Sequence, residues 1–208
     1  MVIYYEKYRR KNKALVLGSD RMCTVLKKIR NKSAIELLEE YGLDKTVPID
    51  IEQLLRAIGI SAIGKDFSEL EKRLDKPKGS ILGMLLSSGN NAAIFYRKDD
   101  SYNRRRFTIA HELAHAINHS DNEPHIEYRM AEKEMEEDPV EKKANIVAGE
   151  ILIPLPLLKK EYLKLDIPSS TVLANIFKVS QNVMEARLKY LKIFYVNSEG
   201  EFITYGYK

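Results

Sequence analysis

RRRFTIAHELAHAINH, Arg104 to His119, has the apolar spacing of a buried helix yet carries His111, Glu112 and His115 among its apolar residues. On a helix, residues four apart share a face about one turn from each other, so the two imidazoles can aim at one ion. Zinc suits such a pair. It takes His nitrogens at about 2.0–2.1 Å, and a catalytic site leaves a position for water, whose pKa the metal lowers to about 7. Glu112 follows the first histidine, where a carboxylate can face that water, take its proton during attack on a carbonyl and pass it to the leaving amine. The plainer alternative is two histidines donating to core carbonyls. With four histidines in the chain, a chance His-Glu-x-x-His is on the order of a one-in-a-hundred event, and an apolar helix around it lowers the false-positive risk.

Two histidines need a third ligand. His119 lies about 12 Å of helical rise beyond His111, too far to close a tetrahedron on one straight helix, so it is expected to be structural. His125 comes without the His-x-x-Gly-x-x-His turn that returns a third histidine in one class of metalloprotease. A glutamate on the following helix is the remaining option, and Glu141 is the best placed. Asp138 and Pro139 open that helix, VEKKANIVAGEIL continues it, and Ala144 and Ala148 would allow close approach to the first helix. Glu141 also sits where a capping-box glutamate belongs if Asp138 is the N-cap. Ligand and cap both stand on spacing alone.

Upstream, SILGMLL and AAIFYRK flank Ser87-Ser88-Gly89-Asn90-Asn91, which predicts a β-hairpin over 80–98. One of its strands, Ile81–Leu86 or Ala92–Tyr96, is expected to present an edge on which an extended peptide pairs beside the metal. No oxyanion donor is assignable; Tyr102 and Arg104 to Arg106 are near in sequence, but the arginines could equally anchor a loop or pair with the acidic segment. The N-terminal third reads as helices, SAIELLEEYG ending on Gly42 and 49–58 ending on Gly59, with a short helix around FSELEKRL. Residues 120–138 read as an acidic surface loop, and the helix after it stops near Pro154 and Pro156. In the tail, Ser169 or Ser170 could cap TVLANIFK, Ser180 could cap QNVMEARLKYL, and KIFYVNSEGEFITYG alternates like a hairpin.

The 208 residues, 44% hydrophobic and 31% charged, suffice for one good-sized domain and exclude a disordered chain. No signal peptide and no apolar run near the roughly 20 residues of a membrane span are evident, so a cytoplasmic protein is expected, without membrane partners. A single cysteine, Cys23, excludes an internal disulfide and a cysteine-based zinc knuckle. The net charge of +4 is uneven: residues 1–32 hold ten Lys and Arg against Glu6 and Asp20. That arm is expected to be a solvated helix face, with nucleic acid or an acidic partner as the alternative.

FTIAHELAHAINH, EKKANIVAGEILIP and the late VLANIFKVS followed by ARL together resemble the ImmA/IrrE family of bacterial and phage metallopeptidases, over roughly 47–193. The resemblance implies zinc held by His111, His115 and Glu141, with Glu112 as general base, although manganese or another divalent ion would also suit two imidazoles and a carboxylate. It implies an α+β, zincin-like fold: a small antiparallel sheet, the His-Glu-x-x-His helix, and a small C-terminal helical unit with a hairpin. The corresponding division is a basic helical extension over 1–46, a metallopeptidase domain over 47–168, and a helix-turn-helix-like unit over 169–208 packed on it. The implied substrate is a helix-turn-helix repressor, cut to relieve repression of stress, phage or mobile-element genes. Two other functions compete. One is a non-catalytic metal-containing binding protein, such as an anti-repressor or toxin–antitoxin component; the other is a DNA-binding regulator using the tail and the basic arm, whose DNA contact is not favoured. The retained Glu112 favours the peptidase, since a structural metal site has no use for a base.

Overall fold

The hairpin expected over 80–98 is the centre of the sheet. The computed structural model describes residues 23–88, 90–118, 126–130 and 138–205, with the backbone alone for 88 and 126–130. Within them β2 (Ile81–Ser88) and β3 (Asn91–Arg97) pair antiparallel, Leu85 opposite Ile94. Both of those side chains are fully buried. Two further strands extend the hairpin: β1 (Ile60–Lys65) runs parallel to β3, and β4 (Ile126–Met130) runs antiparallel to β2. The sheet order is β1-β3-β2-β4. The expectation that Ile81–Leu86 or Ala92–Tyr96 offers a free edge is therefore corrected. Both strands are interior, their ladder groups already paired on two sides, and among the described residues the edges are β1 and β4. The acidic stretch read as loop likewise contains β4, while residues 119–125 and 131–137, with His119 and His125, lie outside the described residues, as does 1–22 of the basic arm over 1–32.

Helices before the sheet start and stop where local chemistry dictates. After α1 (Thr24–Ile29), α2 (Ala34–Glu40) opens on a capping box between Ser33 and Glu36. Asp50 caps α3 (Ile51–Ile58) by accepting from the Gln53 N–H, and Gly59, at φ +93°, ends it in the left-handed conformation glycine adopts without strain. A short α4 (Ser68–Arg73) leads into β2.

The helix α5 (Tyr102–Asn118) then crosses the sheet, packing on β2 and β3. It has three working faces. Ile109, Leu113 and Ile117 form a stripe in the apolar core, each fully buried side chain contributing on the order of 1.5–3 kcal/mol. Thr108 and Glu112 face β2. His111 and His115 face α6 (Pro139–Leu152), and buried Ala110, Ala114, Ala144 and Ala148 let the two helices lie close together.

Pro154 and Pro156, read as a stop, end α6 but also open α7 (Leu155–Tyr162), where a proline in the first turn lacks only an N–H that needs no partner. The tail forms α8 (Ser170–Phe177) and α9 (Gln181–Tyr190), capped by Ser169 and Ser180, and then a short hairpin of β5 (Tyr195–Val196) and β6 (Phe202–Ile203). Arginines tie this pair to the two long helices. Arg106 of α5 donates to the carbonyls of Lys178 (3.1 Å) and Ile49 (2.8 Å), and Asn103 donates to that of Val179. Arg187 of α9 donates to the carbonyl of Ile153, at the end of α6, and pairs with Glu150. One apolar cluster, from Cys23 to Tyr195, runs through α1 to α3, β1 to β3, α5 to α9 and β5. No helix among the described residues is long and apolar enough to cross a membrane.

Candidate metal centre

His111 and His115 are 0% and 4% exposed, and their Nε2 atoms lie 2.9 Å apart. From the first turn of α6 the Glu141 carboxylate reaches both, Oε2 to His111 Nε2 at 3.1 Å and Oε1 to His115 Nε2 at 3.3 Å. Three candidate donor atoms from two helices thus converge within the protein interior. Metal–ligand bonds of about 2.0–2.1 Å at tetrahedral angles hold neighbouring ligand atoms about 3.3 Å apart. The observed spacings match that edge length closely, so the residues fit a divalent cation.

The capping alternative for Glu141 does not describe what the helix does. Asp138 caps α6 by accepting from the Val140 N–H at 2.8 Å, and the Glu141 side chain turns inward to the histidines.

A fourth residue, unremarked in the sequence, completes the arrangement. Asn145 lies one turn beyond Glu141 on the same face of α6, and its Oδ1 is 2.9 Å from His111 Nδ1. Since that oxygen only accepts, the imidazole proton belongs on Nδ1, which leaves the Nε2 lone pair facing the centre. The signal was available as the i+4 spacing from Glu141, but nothing distinguished Asn145 from a solvated asparagine until the helix pairing was known.

Residues 70–189 match the family model of Peptidase M78, described as the IrrE N-terminal-like domain. The chain belongs to the Peptidase M78 family. No curated protein is matched by the sequence. Membership in this family makes the chain a metallopeptidase of the IrrE/ImmA type with an α+β, zincin-like fold. The buried His111, His115 and Glu141 are the group that could hold the metal of an M78 peptidase here.

Glu112 is 0% exposed and lies between α5 and β2, not among the three converging donors. The neighbouring arginines divide between anchoring and surface roles. Arg106 holds backbone carbonyls as described, Arg104 makes an exposed pair with Asp100, and Arg105 lies over the Tyr96 ring. Tyr102 is half exposed with the Arg106 guanidinium over its ring. None of these observations makes Tyr102 or the arginines oxyanion donors.

Proposed function

We propose that this M78 protein is a cytoplasmic zinc endopeptidase that cuts a helix-turn-helix repressor and so relieves repression of stress, phage or mobile-element genes. The observation that carries the reading is the convergence of His111, His115 and Glu141 across two helices, with a buried carboxylate, Glu112, next to the first ligand. A bound zinc would supply a Lewis acid for the scissile carbonyl and lower the pKa of a water. His111 and His115 would hold it through Nε2 and Glu141 through its carboxylate, while Asn145 fixes the His111 tautomer. Glu112 removes the proton of the attacking water and returns it to the departing amine nitrogen, so the amide C–N bond breaks as the new C–O bond forms. The substrate, as an extended chain, pairs along the outer edge of β4, which neighbours β2 and has no other strand partner among the described residues.

The test uses the intact protein with a candidate repressor. Glu112→Gln is expected to keep its zinc and its grip on the repressor while cleavage falls by about 10²–10⁴. Cleavage by Glu112→Gln at the wild-type rate would take the role of base away from Glu112, and no cleavage of any repressor by the zinc-loaded wild type would leave the non-catalytic binding protein as the better reading.

A further inference from the structure

Gly83 stands among Ile81, Leu82, Met84, Leu85 and Leu86 in an interior strand, where a missing side chain forfeits packing and weakens the strand. Its φ does not lie in the left-handed region, so backbone conformation does not explain it. Space does. A Cβ at this position would lie 2.5 Å from Thr108 Cγ2, 2.7 Å from Glu112 Oε1 and 3.3 Å from Glu112 Cδ. The pairing of β2 with β4 shifts register between Ile81 and Gly83, a bulge of the kind that re-aims a strand beside a functional site. At Gly83 the strand therefore lies directly against the turn of α5 between Thr108 and Glu112.

We infer that Gly83 is a positioning residue for the carboxylate of Glu112: its absent side chain is the slot in which that carboxylate sits. This rests on the peptidase reading, in which Glu112 is the base. The two contacts differ in kind. Thr108 is β-branched, so a methyl at position 83 meets an atom held close to the helix backbone, which clears it only by a change of χ1 rotamer or a shift of α5. The Glu112 carboxylate is the far end of a flexible side chain and yields by rotating. A side chain at 83 thus strains the fold through Thr108 and misplaces the base through Glu112. The two effects are separable by mutation.

Thr108→Ser removes Cγ2 and leaves the carboxylate as it was. Gly83→Ala, Thr108→Ser and the double variant would be compared for thermal unfolding, zinc content, turnover of a quenched-fluorescent peptide library, and the ¹³C resonance of the Glu112 carboxyl in metal-free protein. That resonance is assigned by its loss in Glu112→Gln. The melting temperature is expected to fall in Gly83→Ala and to recover in the double variant. Turnover should drop about a hundredfold in both, the usual cost of a misplacement of about 1 Å, with zinc still bound. The Glu112 resonance should move in both and stay in place in Thr108→Ser. An unmoved resonance with wild-type turnover in the double variant would overturn the inference, as would turnover that recovers in step with the melting temperature. If the wild type itself cuts nothing, the peptidase reading fails, and the Glu112 resonance alone decides whether Gly83 holds that carboxylate.

Discussion

Two glutamates, Glu71 and Glu141, are buried to similar degree, 1% and 7% exposed, in two regions that treat them differently. At the entry to β2, Glu71 accepts from the N–H groups of Gly79 (3.0 Å) and Ile81 (2.9 Å) and pairs with Arg97, which also donates to the Ile81 carbonyl. Its charge is met by a full complement of donors within the chain. Between α5 and α6, Glu141 faces the Nε2 atoms of His111 and His115, the first with its proton held on Nδ1 by Asn145. A buried carboxylate ringed by donors fastens a fold; one ringed by other ligand atoms can hold a cation. Burial alone does not tell the two apart, whereas the identity of the neighbours does.

The largest expected effect on the structural side is at Glu71. Glu71→Ala should cost about 3 kcal/mol of stability, because it leaves Arg97 largely buried without its partner, and the folded fraction should still bind metal with wild-type stoichiometry. Urea unfolding beside metal analysis checks both. On the metal side, Asn145→Leu should leave the melting temperature near that of the wild type while weakening zinc binding about 10–100-fold, measured by competition with a chelator. Equal affinity would mean that Asn145 does not orient His111. A smaller effect concerns acid. Burial raises the Glu71 pKa, but the Gly79 and Ile81 N–H groups and Arg97 outweigh it and leave the pKa below its ordinary value of 4.5. The stabilisation is present above that ordinary value and is lost as pH falls through the folded-state pKa. Between about pH 5 and about pH 2 the wild type should therefore lose more unfolding free energy than Glu71→Gln does. Parallel losses would show that Glu71 contributes nothing through its charge.

What was legible in the sequence followed from periodicity and local capping. The α5 motif, the β2–β3 hairpin, Asp50 and Gly59 around α3, and Ser169 and Ser180 before α8 and α9 all declare themselves within a few residues. What was not legible depends on neighbours distant in sequence. ISAIGK has no clean alternation and becomes β1 only because β3 supplies a parallel partner; IEYRM hides in an acidic run until β2 pairs with it. Arg106 belongs to a run of three arginines that the sequence reads alike, as loop anchors or partners of the acidic segment, yet it alone is 4% exposed because the backbone carbonyls it serves come from residues 49 and 178. Gly83 looks like a weak point in a strand until the helix opposite is in place.

The central claim is that His111, His115 and Glu141 form a metal site while Glu71 does not. The most direct test is metal content of the purified protein, wild type beside Glu141→Ala and Glu71→Ala, under conditions that keep each folded. The expected result is near one zinc per chain in the wild type and in Glu71→Ala, and much less in Glu141→Ala. No bound metal in the wild type and no uptake on adding zinc, or undiminished zinc in Glu141→Ala, would contradict it.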